Sequence, residues 1–185
     1  MGSYSELYFS DATTKPGQGE LSESSPYLLS RDHLPLLWLA LYRREHITEV
    51  PEPNEPDSLW PYLVAPRTQA LAILAARREL LTSRFPSMKP LWLDQFTTML
   101  EQTPFAFVHL DTMDIGAMLY AAPQWRQVLE ALLGIFETDV FQAEAGWQQF
   151  HDGYSGAYEG ERATKPWTYC GGGGAGSPMP WDPPE

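Results

Sequence analysis

The stretch Pro104-Phe105-Ala106-Phe107-Val108-His109-Leu110-Asp111 decides the fold, together with the long helical pattern that follows it as far as Asp152. Phe105–Leu110 is a short apolar run bounded by a proline and an aspartate, which is how a buried strand reads. Asp111 can cap a helix over Thr112–Tyr120, with Ile115, Met118 and Leu119 turned inward. Pro123 opens a longer helix, in which Trp125, Val128, Leu129, Leu132, Leu133 and Phe136 recur at three- and four-residue steps. Gly134 and the Glu137-Thr138-Asp139 cluster break that helix before a last one ending near Phe150.

Toward the amino terminus the signals alternate between strand and helix. In Ser3–Phe9, Tyr4, Glu6 and Tyr8 fall on one side and Ser5, Leu7 and Phe9 on the other, so a short strand is expected, suited to a sheet edge. Thr13–Pro26 is a Gly/Ser/Thr/Pro loop. Ser30 or Asp32 can cap a helix that puts Leu34, Leu37, Trp38, Leu41 and Tyr42 on one face. Val50–Pro61 holds Pro51, Pro53, Pro56 and Pro61 among Glu49, Glu52, Glu55 and Asp57, which predicts an acidic, semi-rigid loop. Pro66–Phe85 is helical, with Leu71, Leu74, Ala75, Arg78 and Leu81 near the period and Arg77, Arg78 and Arg84 exposed or partly so. Pro90–Gln102 is helical too, with Leu91, Phe96, Met99 and Leu100 inward. The expected class is α+β: a predominantly helical single domain over residues 1–152 with a small number of short strands. Residues 153–185 form an aromatic, then Gly/Pro-rich carboxyl-terminal extension, mobile unless Trp167, Tyr169 or Trp181 docks on the body.

With 185 residues, 43% of them apolar and 13% aromatic, the chain has the means to bury one core. Its longest apolar run, Leu34–Tyr42, is about half the roughly 20 residues that span a bilayer, so no transmembrane helix is expected. The first residues show no basic region leading into an apolar core, and the single cysteine, Cys170, cannot form an internal disulfide. A cytoplasmic location is expected.

The formal net charge is −12. Acids outnumber bases ten to four in residues 1–63 and eleven to three in 104–185, but bases lead five to three in 64–103. Such a surface repels phosphate backbones and anionic membranes, which argues against both as partners. It suits a basic protein instead, although net charge also serves solubility alone.

The chemistry-bearing residues form no recognised catalytic or metal constellation. His33, His46, His109 and His151 lack zinc-ligand spacing, and no cysteine pair exists. Cys170 sits beside Gly171–Gly174, a run followed by Ser177 and Pro178 where a phosphate cradle would need a lysine and a helix start. No catalytic, metal or cofactor residue is therefore assigned. Asp111 and Asp114 stand at a strand-to-helix junction where capping explains both, and His109 in its apolar strand reads as a satisfied core or edge histidine. Asp152–Glu161 places Tyr154 and Tyr158 on a Gly-rich acidic loop, which suits protein recognition.

The opening Met1-Gly2-Ser3-Tyr4-Ser5-Glu6-Leu7-Tyr8-Phe9, the later Asp32-His33-Leu34-Pro35-Leu36-Leu37-Trp38-Leu39-Ala40-Leu41 and the acidity resemble small bacterial immunity proteins that neutralise cognate toxins. That resemblance covers about the first fifty residues. It implies a non-enzymatic inhibitor that binds a protein toxin and blocks its active site or substrate groove. The acidic and aromatic surface positions expected to carry binding are Glu52, Glu55, Asp57, Asp139, Glu144, Tyr154, Tyr158 and Glu159. The rival readings are a small hydrolase or transferase built on Asp111, Asp114 and His109, and an adaptor recognised through its Pro-rich tail.

Overall fold

A computed structural model describes residues 3–17, 25–52, 55–137, 160–174 and 177–182. Strands β1 (Tyr4–Ser10), β2 (Tyr27–Arg31), β3 (Ile47–Glu52), β4 (Glu55–Pro66), β5 (Phe107–Asp111) and β6 (Gly172–Gly173) form one sheet in the order β3-β4-β5-β1-β2-β6. Every neighbouring pair is antiparallel. The helices are α1 (Leu36–Leu39), α2 (Arg67–Arg84), α3 (Pro90–Gln102), α4 (Met113–Ala117), α5 (Ala122–Gly134) and α6 (Pro166–Cys170). The class is α+β as expected, but the fold is mixed rather than predominantly helical, because the sheet is wider than the sequence shows.

Most of the extra sheet is one hairpin, which takes in the segment expected to be an acidic loop. Ile47–Glu52 and Glu55–Pro66 pair as an antiparallel hairpin, with Ile47 opposite Leu63 and Pro51 opposite Leu59. Prolines are admitted because β3 is an edge strand, and β4 pairs with β5 only from Leu63 onward. Each therefore has an open side where a missing N–H removes no ladder bond. β1, expected at an edge, is instead central, flanked by β5 and β2.

Period-2 alternation gives the sheet two different faces. Leu7, Phe9, Leu28, Leu63, Ala65, Val108 and Leu110 belong to the main core with Leu74, Leu81, Phe96, Leu100, Trp125 and Leu129 from the helices. The residues between them build a second cluster of Tyr8, Val50 and Tyr62, with Tyr27 and Val64 against it. The tract Leu34–Tyr42, expected to be one face of a helix, has only one turn of helix and is buried throughout. A segment surrounded on all sides needs no polar face, so it carries no amphipathic period.

α2 and α3 match their expected limits, yet α2 is rotated. Its buried residues are Ala70, Ile73, Leu74, Arg77 and Leu81, while Ala75 and Arg78 face solvent. The carboxyl-terminal stretch meets its docking condition: Tyr169, Cys170 and Trp181 are buried in the main core. Trp38 Nε1 donates to the Cys170 carbonyl at 2.8 Å, and Trp181 Nε1 to that of Gly171 at 2.8 Å. Among the described residues, no helix is long and apolar enough to cross a membrane.

Candidate functional site

The antiparallel register gathers several features at one end of the sheet. β5 ends at Asp111, opposite Glu6 near the start of β1, and β4 runs on past Leu63 with only β3 as its neighbour. The distal half of the hairpin, the start of β1 and helix α4 therefore share this end. Glu49, Pro51, Asp57 and Leu59 are exposed on the hairpin. Glu49 is paired to Arg126 of α5 at 3.1 Å.

The α4–α5 corner supplies an apolar counterpart. Met118 and Leu119, expected to turn inward, are 59% and 74% exposed, because α4 stops at Ala117. The corner is anchored beneath them: Trp125 is buried, its Nε1 donates to Thr112 Oγ1 at 2.9 Å, and Tyr120 stacks on its ring at 5.6 Å. Gly116 permits this packing, since a Cβ there would lie 2.5 Å from Trp125 Cδ1. Exposed apolar side chains on a fixed backbone are inexpensive to bury against a partner, since little order remains to be imposed.

The expected binding residues divide into two groups. Glu52 closes β3, half-buried, and accepts a hydrogen bond from Trp60 Nε1 at 3.0 Å. Glu55 lies opposite it at the start of β4, and Asp57 is exposed two residues on. Asp139, Glu144, Tyr154, Tyr158 and Glu159 lie outside the described residues. The apolar part of this end, Leu59 with Met118, Leu119 and Tyr120, was missed by sequence reasoning. Pro123 near the start of α5 was the available signal, since it requires the chain to turn shortly before it.

Of the rival trio of Asp111, Asp114 and His109, Asp111 and His109 are held in structural contacts. Asp111 Oδ1 accepts the Met113 N–H at 3.0 Å, next to the start of α4, and Oδ2 is ion-paired with Lys15. Asp114 is exposed in the first turn of α4. His109 is fully buried, stacked on Tyr8 at 5.2 Å, with its Nε2 2.9 Å from Ser10 Oγ. Tyr8 and Tyr62 join hydroxyl to hydroxyl beside it. Burial pushes the Glu6 carboxyl above its ordinary range, and nearby Asp111 and Asp114 add to the effect while Tyr27 and Lys15 oppose it. Among the described residues, no group of His, Cys, Asp and Glu side chains is placed to hold a metal ion. Comparison with protein-family models, with curated proteins and with solved structures finds no match to this chain.

Burial lowers the His109 pKa from 6.5 to about 4, offset in part by a hydrogen bond to the Ala12 backbone. The folded state thus binds this proton less readily than the unfolded chain. The associated stability is fully present above pH 6.5 and is lost as pH falls toward 4. Between pH 7 and pH 4.5, His109→Gln should lose about 2 kcal/mol less stability than the unaltered protein, which urea unfolding at the two pH values would measure. Equal losses in the two proteins would mean that His109 titrates normally.

Proposed function

We propose that this chain is a non-enzymatic, stoichiometric inhibitor: an immunity protein that acts in the cytoplasm by binding a cognate bacterial toxin through an acidic face. What carries the reading is the hairpin that extends beyond β5, with exposed Asp57 and Leu59 on it and the Met118–Tyr120 corner at the same end of the sheet. Interfaces combine such parts: apolar and aromatic anchors supply most of the affinity, and surrounding charges select and steer the partner. A toxin with a basic active-site surface is the complementary partner, and a rigid acidic hairpin can lie across its substrate groove. Glu52, Glu55 and Asp57 are the acids proposed to meet it. The burial of His109, and the Met113 hydrogen bond and Lys15 ion pair of Asp111, favour this reading over the hydrolase or transferase. The adaptor reading is disfavoured by the tail, where Trp181 is buried and the Pro180 carbonyl accepts from Gln95 Nε2 at 2.6 Å.

Co-purification from the source bacterium through a moderate salt wash should yield one stoichiometric protein partner with a basic domain. Against that partner, Glu55→Lys/Asp57→Lys should slow association and weaken binding by about 100-fold, on the order of 3 kcal/mol. Leu119→Asp should raise the dissociation rate. A partner bound with unchanged affinity by both variants would exclude this end of the sheet as the interface. Absence of any partner would count against inhibition itself.

A further inference from the structure

An arginine-lined cavity of about 610 Å³ lies beside the turn Arg44–His46 that precedes β3. Arg43, Arg44 and Arg77 surround it with Glu137, and Ile73 and Phe136 supply apolar wall. Three of the chain's twelve basic residues thus meet at one opening in a protein of net charge −12. Arg77 is only 6% exposed, and its Nη1 donates to the Ala40 and Tyr42 carbonyls at 3.0 and 2.6 Å. Those bonds, with the Phe136 ring 4.6 Å from the guanidinium carbon, fix its position. Arg77 Nη2 is left facing Glu137 Oε1 at 3.9 Å, too far for a hydrogen bond.

Glu137 occupies the middle of this arrangement. Its Oε1 accepts the Arg44 backbone N–H at 3.2 Å, and its Oε2 lies 3.9 Å from Arg44 Nε. One carboxylate is thus held by a backbone N–H and flanked by two guanidinium groups at loose ion-pair distance. Arg43 is exposed, and among the described residues its guanidinium makes no ion pair. Gly134 leaves room for the Arg44 guanidinium, because a Cβ there would lie 1.8 Å from Nη2. Burial lowers the Arg77 pKa to about 10, and Glu137 raises it again in part.

We propose that this cavity binds a dianionic oxyanion carried on an organic ligand, a phosphate monoester or a dicarboxylate, and that Glu137 is a built-in occupant which the ligand displaces. Among the described residues, three guanidinium groups against Glu45 and Glu137 leave one positive charge in excess, and turning Glu137 outward leaves two, which a dianion balances. Arginine presents planar, forked donors that suit both carboxylate and phosphate. Arg77 is already immobilised by its backbone acceptors, so little side-chain entropy remains to be lost on binding. Ile73 and Phe136 would contact the ligand's apolar portion. This site is separate from the proposed toxin-binding end, so either can fail without the other.

Calorimetric titration at constant ionic strength, with chloride as reference, tests it using phenyl phosphate, inorganic phosphate and succinate. Binding of phenyl phosphate in preference to succinate would assign a phosphate ligand, and the reverse a dicarboxylate. Arg43→Gln/Arg44→Gln, which alters two exposed side chains, should weaken the preferred probe at least tenfold. Glu137→Gln should strengthen it several-fold, because the internal competitor loses its charge. No heat beyond the chloride reference for any probe, or an affinity unmoved by the double variant, would overturn the site. Weaker binding by Glu137→Gln would overturn the displacement of Glu137.

Discussion

Gly171→Ala is expected to destabilise the fold by about 3–5 kcal/mol, the sum of backbone strain and overpacking. Gly171 ends α6 at φ 78° and ψ 172°, a conformation that side-chain-bearing residues essentially never adopt. It also faces a buried indole: a Cβ would lie 2.2 Å from Trp38 Cζ2. Trp38 cannot withdraw, since it is fully buried and its Nε1 is held by the Cys170 carbonyl. Gly160 separates the two contributions. It too has positive φ, at 59°, but an added Cβ would meet nothing within 4 Å. Gly160→Ala should therefore cost only about 1 kcal/mol, the backbone part alone. Urea unfolding of both variants decides the matter, and equal losses would mean that the Trp38 contact is not tight.

The same residue illustrates what the sequence conceals. Gly171–Gly174 reads as a flexible tail because glycine composition reports conformational freedom and says nothing of what lies nearby. In the fold these glycines give close approach: Gly171 admits Trp38, and Gly172 and Gly173 pair with Leu29 and Leu28 as β6. Elements fixed by local period were legible, namely α2, α3, α5 and the strand ending at Asp111. The hairpin was not, because its prolines are tolerated only through the positions of β3 and β4 relative to the other strands, which no local pattern records. His109 was legible as a core histidine from its apolar neighbours, and Asp111 as a helix-start residue from its place before α4. The apolar corner was hidden for the opposite reason. Met118 and Leu119 continue a helical period that the backbone abandons at Ala117, so periodicity assigns them to the core.

Arg77→Met is expected to cost about 3 kcal/mol, a balance between orphaned acceptors and a relieved buried charge. Methionine keeps much of the apolar stem but removes both donors to the Ala40 and Tyr42 carbonyls, which follow α1 in the most deeply buried part of the chain. Leaving a buried carbonyl unpaired costs about 1–3 kcal/mol, and the lost guanidinium–Phe136 contact about 1 more. Relief from burying a cation offsets part of that sum. Arg77→Lys should recover part of the loss, because one ammonium cannot reproduce the fork. Arg78→Met is the control: its 2.7 Å ion pair with Asp94 is on the surface, so its loss should stay within about 1 kcal/mol. Similar unfolding midpoints for the two methionine variants would show that the backbone bonds of Arg77 add nothing. The spacing already pointed inward, since Arg77 lies seven residues after Ala70 and four before Leu81, both buried. Its charge is what makes the position read as exposed, and the two carbonyls that make burial tolerable come from a segment 35 and 37 residues away.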